Sequence, residues 1–285
     1  MSAATRSVDG RRRAYLVLLG AVAARAALAG AGILDDRPAG TPWRRMNYAG
    51  RPVTLLGGPA LAAAATVTAV AGAPAGAATA AAVVGTVSGL VGGYDDLAGA
   101  RPDQARDKGL AGHLRALREG RVSAGAVKVA GIGAAAAVAA VLTRHGRGPG
   151  ALVDGVLTTG LVAGTANLVN LLDLRPGRAG KAAALTAAAT LGGPAGGLVA
   201  GPLGATLAVL PDDLGERVML GDAGANAVGA LLGLRFAALS GRAPRAALLA
   251  GIVGLTLASE KVSFTTVIEA TPGLRELDRL GRRPR

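Results

Sequence analysis

Read from its N-terminus, the chain alternates between long apolar runs and short charged clusters. The runs are Ala14 to Leu34, Val53 to Gly72, Ala75 to Tyr94, Ala126 to Leu142, Ala151 to Leu172, Ala182 to about Leu210, Ala223 to Leu239 and Ala246 to Val262. Most are about 18 to 22 residues long, the length a helix needs to cross the hydrocarbon core of a bilayer. The run ending at Leu210 carries Gly192-Gly193-Pro194-Ala195-Gly196-Gly197 at its centre, which predicts two short helices joined by a tight turn. The first run follows Arg11, Arg12 and Arg13, as the apolar part of a secretory signal also would. It is long for that role and further spans follow, so it predicts an uncleaved first helix, with Arg25 facing protein or snorkelling. The pattern as a whole predicts an all-α, polytopic integral membrane bundle of about nine to ten transmembrane helices, one domain over 1–285. Loops fall near 35–52, 95–125, 173–181 and 211–221, and a basic tail over 263–285.

Composition sharpens this picture. The 285 residues are 51% hydrophobic, and the mean hydropathy is +0.43. Ala and Gly dominate the spans; they gain less from lipid than Leu would, so the helices must pack closely on one another. Pairs at GxxxG spacing, such as Gly85 with Gly89 and Gly229 with Gly233, fit helix contacts, but a chain with 45 Gly produces such pairs by chance. A net charge of +13 suggests nucleic acid, yet three Tyr, two Phe and one Trp offer little to stack bases, and no nucleic-acid partner is expected. The absence of Cys removes disulfides and thiolate metal sites, and His113 and His145 stand alone, so any metal must use oxygen ligands.

The basic residues also sort by loop. Arg37, Arg44, Arg45 and Arg51, then Arg101 to Arg121, then Arg175 and Arg178, then Arg217 and the tail fall in alternate connections, which the positive-inside rule places in the cytoplasm. The four arginines before Ala14 go against that orientation. The expected location is the inner (plasma) membrane, multi-pass, with membrane lipids as surroundings.

Carboxylates at the ends of spans are the informative feature, because an ionised group at a membrane boundary is costly and is retained for a partner or a reaction. Gly92-Gly93-Tyr94-Asp95-Asp96 ends one span, Asn167-Leu-Val-Asn170-Leu-Leu-Asp173 ends another, and Gly221-Asp222-Ala-Gly224-Ala-Asn226 begins a third, all at one membrane depth. Asp95 and Asp96 repel unless a cation sits between them. Magnesium suits such a set, since it takes a few carboxylates and completes its shell with phosphate oxygens. Asn167, Asn170 and Asp173 share one helix face. Taken one at a time, each cluster also reads as a helix cap or a solvated loop end. Only four of the 31 basic residues are Lys, at 108, 128, 181 and 261. A compact ammonium serves phosphate oxygens, which makes Lys108 and Lys128 candidates, though Lys128, Lys181 and Lys261 also fit snorkelling at helix ends.

Tyr94-Asp95-Asp96, Lys108-Gly109-Leu110-Ala111-Gly112-His113-Leu114, Asn167 through Asp173 and Gly221-Asp222-Ala223-Gly224 occur in that order, preceded by Arg51-Pro52-Val53-Thr54-Leu55-Leu56-Gly57-Gly58. In order and spacing they resemble the signature of the polyprenyl-phosphate sugar-1-phosphate transferase superfamily, which holds the phospho-MurNAc-pentapeptide translocase and the GlcNAc-1-phosphate transferases. The resemblance implies Mg2+-dependent transfer of a sugar-1-phosphate from a UDP-activated sugar to a polyprenyl phosphate lipid, with release of UMP. It implies Asp222 as a metal ligand with Asn170 as a second, and Asp95 and Asp96 as catalytic groups at the acceptor phosphate. Lys108, Lys128, Asn167 and Asp173 would bind substrate. Two departures stand out. The Asp-Gly-Leu-Asp-Gly continuation of the family is replaced by Asp173-Leu174-Arg175-Pro176-Gly177-Arg178, and the late His-rich loop is not visible. Sugar identity and oligomeric state stay open, a homodimer included.

Three other readings remain. A CDP-alcohol phosphotransferase would need a later pair of Asp at helical spacing, and Ala100-Arg101 gives only a partial echo of its pattern. A small-solute transporter would place acidic residues near the bilayer centre and carry an internal repeat. A catalytically inactive relative would serve as a membrane scaffold or lipid-phosphate binder.

Overall fold

The computed structural model of the chain describes residues 3–98, 118–119, 123–144 and 146–283. The apolar runs fold as helices: α1 (Ala3–Asp35), α2 (Gly57–Gly72), α3 (Ala78–Ala98), α4 (Ala124–Leu142), α5 (Pro149–Leu172), α6 (Arg178–Ala189), α7 (Gly197–Leu214), α8 (Gly221–Ala237) and α9 (Arg242–Ser259). Two short helices, α10 (Phe264–Ala270) and α11 (Leu274–Arg279), close the chain. Local chemistry sets several boundaries. Ser123 caps α4 by accepting from the Ala126 N–H at 3.2 Å, and Pro149 occupies the first turn of α5, where its missing donor costs nothing. The Gly/Pro run after Ala189 does break the long apolar segment, and α6 and α7 lie on either side of it.

Among the described residues, three helices are long and apolar enough to cross a membrane: Asp9–Asp35 within α1, all of α4 and all of α5. Treating α9 and α10, bent by 98° to each other, as one broken segment would make a fourth. The fold is thus mostly helical with membrane-length segments, short of the nine to ten spans expected. The remaining helices are too short or too polar. The 12 residues of α6 extend only about 18 Å, against a hydrocarbon core of about 30 Å.

The inter-helix connections gather at two ends. At one end lie the α1–α2, α5–α6 and α7–α8 connections, with the end of α3 and the start of α4. Ion pairs mark it: Arg25 with Asp212 at 2.6 Å and Arg51 with Glu216 at 3.0 Å. Arg25, expected to face protein or snorkel, keeps an exposed side chain whose tip reaches Asp212 of α7. At the other end Arg13 donates to the Gly193 carbonyl at 2.8 Å, and buried Arg235 donates to the Thr190 and Gly192 carbonyls at 2.9 and 2.8 Å. These arginines satisfy carbonyls at the end of α6 that no helical partner reaches.

Helix α8 is the axis of the bundle, buried along nearly its whole length against α2, α3 and α5. Glycine makes this closeness possible. A methyl group at Gly229 would stand 2.7 Å from the Ala166 Cα, and one at Gly233 would stand 2.4 Å from the Leu161 carbonyl oxygen. The GxxxG pair therefore forms the antiparallel α5–α8 seam, just as Gly85 admits Thr66 of α2 against α3.

The 35–52 loop contains an element that the hydrophobic pattern did not predict. Strands β1 (Arg44–Met46) and β2 (Pro52–Thr54) pair antiparallel, with Arg45 opposite Val53. Thr54 continues into a parallel bridge with Val218, and the Met219 N–H donates to the Thr54 carbonyl at 2.9 Å. Strands of three residues are too short for an alternating pattern to register.

Candidate functional site

The approach to Asp222 is built by close contact from two sides. The Gly57-Gly58 start of α2 presses on the 218–220 segment: a methyl group at Gly58 would lie 2.0 Å from the Leu220 carbonyl oxygen. From the other side Gly92 of α3 admits the Asp222 carbonyl, which would be 2.3 Å from an added Cβ. Gly221 itself has φ of 56°, and its missing side chain leaves room for the Asp96 carboxylate.

Asp95 and Asp96, adjacent in sequence, are given different partners. Asp96 accepts from the backbone N–H groups of Asp222 and Ala223, at 2.9 and 3.0 Å, and so caps the start of α8 from a neighbouring helix. Asp95 turns to Lys128 of α4, whose Nζ lies 2.6 Å from Asp95 Oδ2 and 2.6 Å from Asp222 Oδ2. One ammonium thus bridges two carboxylates, drawing together three helices whose residues are far apart in the chain. Asn226 Nδ2 holds the Asp222 carbonyl at 2.7 Å, and Arg45 of β1 donates to the Asp96 carbonyl at 2.6 Å. The indole of Trp43, the sole tryptophan, lies against Gly93 beside the cluster.

Asp173 sits just past α5, and the α5–α8 register brings it to the level of Gly221 and Asp222. Burial, with the charges of Asp213, Asp222 and Asp96 added, pushes its carboxyl well above the ordinary carboxylate range; the Gly221 N–H partly offsets this. Asn167 and Asn170 are half-buried on the last turns of α5, the helix that packs on α8. The structure therefore assembles Asp95, Asp96, Lys128 and Asp222 directly and sets Asp173 at their edge. Lys108 and its motif lie outside the described residues.

Sequence reasoning missed the supports of the site. Buried Glu216 holds Asn47 Nδ2 at 2.5 Å and Arg51 at 3.0 Å, locking the β-hairpin to the segment before Asp222. Arg178 and Asp278, both buried, pair through two hydrogen bonds of 2.8 and 3.1 Å, and Lys181 donates to the Leu277, Asp278 and Leu280 carbonyls. The basic tail is thereby clamped over the loop that follows Asp173. An Arg178 at the start of an apolar helix, where Lys and Arg oppose the helix dipole, was the available signal.

Among the described residues no group of three or more His, Asp or Glu is placed to hold a metal ion. The Lys128 ammonium fills the place between Asp95 Oδ2 and Asp222 Oδ2, so magnesium, which takes one or two carboxylates and completes its coordination with water and substrate phosphates, would be held by the carboxylate oxygens that Lys128 does not engage. No protein-family model matches the chain, and no curated protein is found similar to it.

Proposed function

We propose that the chain is a membrane phosphotransferase that moves a sugar-1-phosphate from a UDP-sugar to a polyprenyl phosphate lipid, with its site at the cytoplasmic face of the inner membrane. The observation that carries this reading is the Lys128 ammonium held 2.6 Å from both Asp95 and Asp222. Three helix ends supply fixed charges of both signs at one end of the bundle, as attack of one phosphate on another requires. The motif resemblance supplies the substrate classes, and the arginine-rich connections at that end support the cytoplasmic side.

In the reaction an oxygen of the acceptor phosphate attacks the sugar-bearing phosphorus, the bond from that phosphorus to the bridging oxygen breaks, and UMP leaves with that oxygen. A phosphate monoester with a second pKa of about 6 is already largely unprotonated at neutral pH, so no residue has to remove a proton. Magnesium, held by Asp95 and Asp222, would neutralise charge on the diphosphate. Lys128 contributes an ammonium beside these carboxylates, and fixed charge of this kind lowers the barrier only if it is in place beforehand. Asp96 acts as a positioning residue, because both its oxygens are committed to the start of α8. Asp173 lines the nucleotide side, with Asn167 and Asn170 on the adjoining helix.

The test is purified protein with magnesium, polyprenyl phosphate and a panel of UDP-sugars, scored for UMP release. Lys128→Met and Asp222→Asn are each expected to lower release by about a hundredfold or more, with helical content unchanged. The single tryptophan separates binding from turnover. A Trp43 fluorescence response to UDP-sugar without UMP release from any donor would overturn the transferase and leave a lipid-phosphate or nucleotide binder.

A further inference from the structure

At the end of the bundle opposite the carboxylate cluster, α4 and α5 diverge and leave a recess of about 600 Å3. Both helices have membrane length and apolarity, so the recess opens toward lipid. Its floor is made of small residues, Ala137 and Ala140 on α4 and Gly155 on α5, and its rims are the exposed Val141, Leu152 and Val156. An added Cβ at Gly155 would meet nothing within 4 Å, so this position on the recess is open.

The charge at its mouth is one-sided. Arg144 ends the recess and also lines a neighbouring cavity of about 510 Å3, and Arg147 stands in the same connection. On α9, Arg242 and Arg245 both pair with Asp154 of α5, Arg242 at 2.9 Å. A single carboxylate is thus shared by two arginines, and no carboxylate among the described residues forms an ion pair with Arg144 or Arg147. Cations are the expected charge at the cluster end of this fold. Their excess here, beside an apolar recess, is a complement to an anion that carries a hydrocarbon chain.

We infer that the α4–α5 recess is a seat for an anionic phospholipid of the leaflet opposite the carboxylate cluster, with an acyl chain along Ala137, Ala140 and Gly155 and the phosphate at Arg144 and Arg147. The site is separate from the proposed transfer reaction, and it stands or falls without it. An arginine near a membrane surface strengthens attraction to anionic lipid by about fivefold. An acyl chain in a groove is held by the apolar area it covers.

The experiment is native mass spectrometry of the delipidated full chain in detergent, titrated with phosphatidylglycerol or phosphatidylcholine. The expected result is a preference for phosphatidylglycerol. Arg144→Ala/Arg147→Ala should reduce it by about fivefold per arginine and leave phosphatidylcholine binding unchanged. Gly155→Leu should weaken both lipids by filling the recess, while circular dichroism and thermal midpoint stay at the wild-type values. Equal affinity of the wild type for the two lipids overturns the proposal, as does wild-type phosphatidylglycerol binding by the double arginine variant. Undiminished binding of both lipids by Gly155→Leu overturns the assignment of the recess.

Discussion

Two neighbouring aspartates with the same side chain do different work here. Asp96 faces the positive end of α8 and takes two backbone N–H groups, while Asp95 meets an ammonium. Their mutual repulsion, read from the sequence as a demand for one shared cation, is relieved by two separate partners instead. Asp173 contributes to the pH dependence of stability in the opposite sense from a carboxylate whose ionised form is held by a partner. Its folded-state pKa lies above the ordinary value of 3.8, so folding favours the protonated form, and the residue withdraws stability as pH rises from that value through the folded pKa. Asp173→Asn removes this titration. Thermal unfolding across pH 4 to 8 should find the variant more stable than wild type at the alkaline end, with the difference shrinking toward acid. A difference that grows toward acid would mean that the charged form is the stabilised one. That Asp95, Asp173 and Asp222 lie at the ends of apolar segments was legible in the sequence. Which of them would touch Lys128 was not, because that depends on how helices from distant parts of the chain are rotated.

Most helix positions followed from the apolar runs and from punctuation by Gly and Pro, including the division between α6 and α7, although α1 begins at Ala3, well before the apolar run that predicted it. The close approaches did not, since a glycine in a glycine-rich chain carries no mark of what it faces. Gly92 faces the backbone of Asp222, and a methyl group there must push α3 from α8. Gly92→Ala should cost about 1–3 kcal/mol through overpacking and, by displacing Asp95 and Asp96, lower UMP release by about a hundredfold. The matched control is Gly133→Ala on α4, where the added Cβ meets nothing within 4 Å; it should be neutral or stabilise by up to about 1 kcal/mol. Equal thermal midpoints and activities for the two variants would remove Gly92 from the architecture of the site. The β-hairpin shows the same limit, for its three-residue strands are tied to the rest of the fold by the Thr54–Val218 bridge and the Glu216 contacts, which no local pattern marks.

At the scale of the molecule, the described connections fall at two ends, and the arginines do not divide cleanly between them. Arg13 of α1 and Arg235 of α8 serve carbonyls, so part of the positive charge opposite the cluster is structural and carries no information on orientation. Sidedness can be read directly because the chain has no Cys. Ala49→Cys, exposed in the hairpin, and Ser240→Cys, exposed at the other end, should label differently with an impermeant maleimide in sealed right-side-out vesicles. The expected result is modification at position 240 only. Labelling at position 49 alone would invert the topology and place the carboxylate cluster outside.

The amino-acid sequence by itself determined that this chain is helical, that several segments suit a bilayer and that carboxylates cluster at their ends, because hydropathy, length and charge are local properties. Tertiary structure alone decided that Lys128 bridges Asp95 and Asp222, that Asp96 serves the backbone and that Arg178 clamps the tail. Those outcomes depend on helix rotation and on close backbone approaches at glycine, which arise only when every helix is packed against the others.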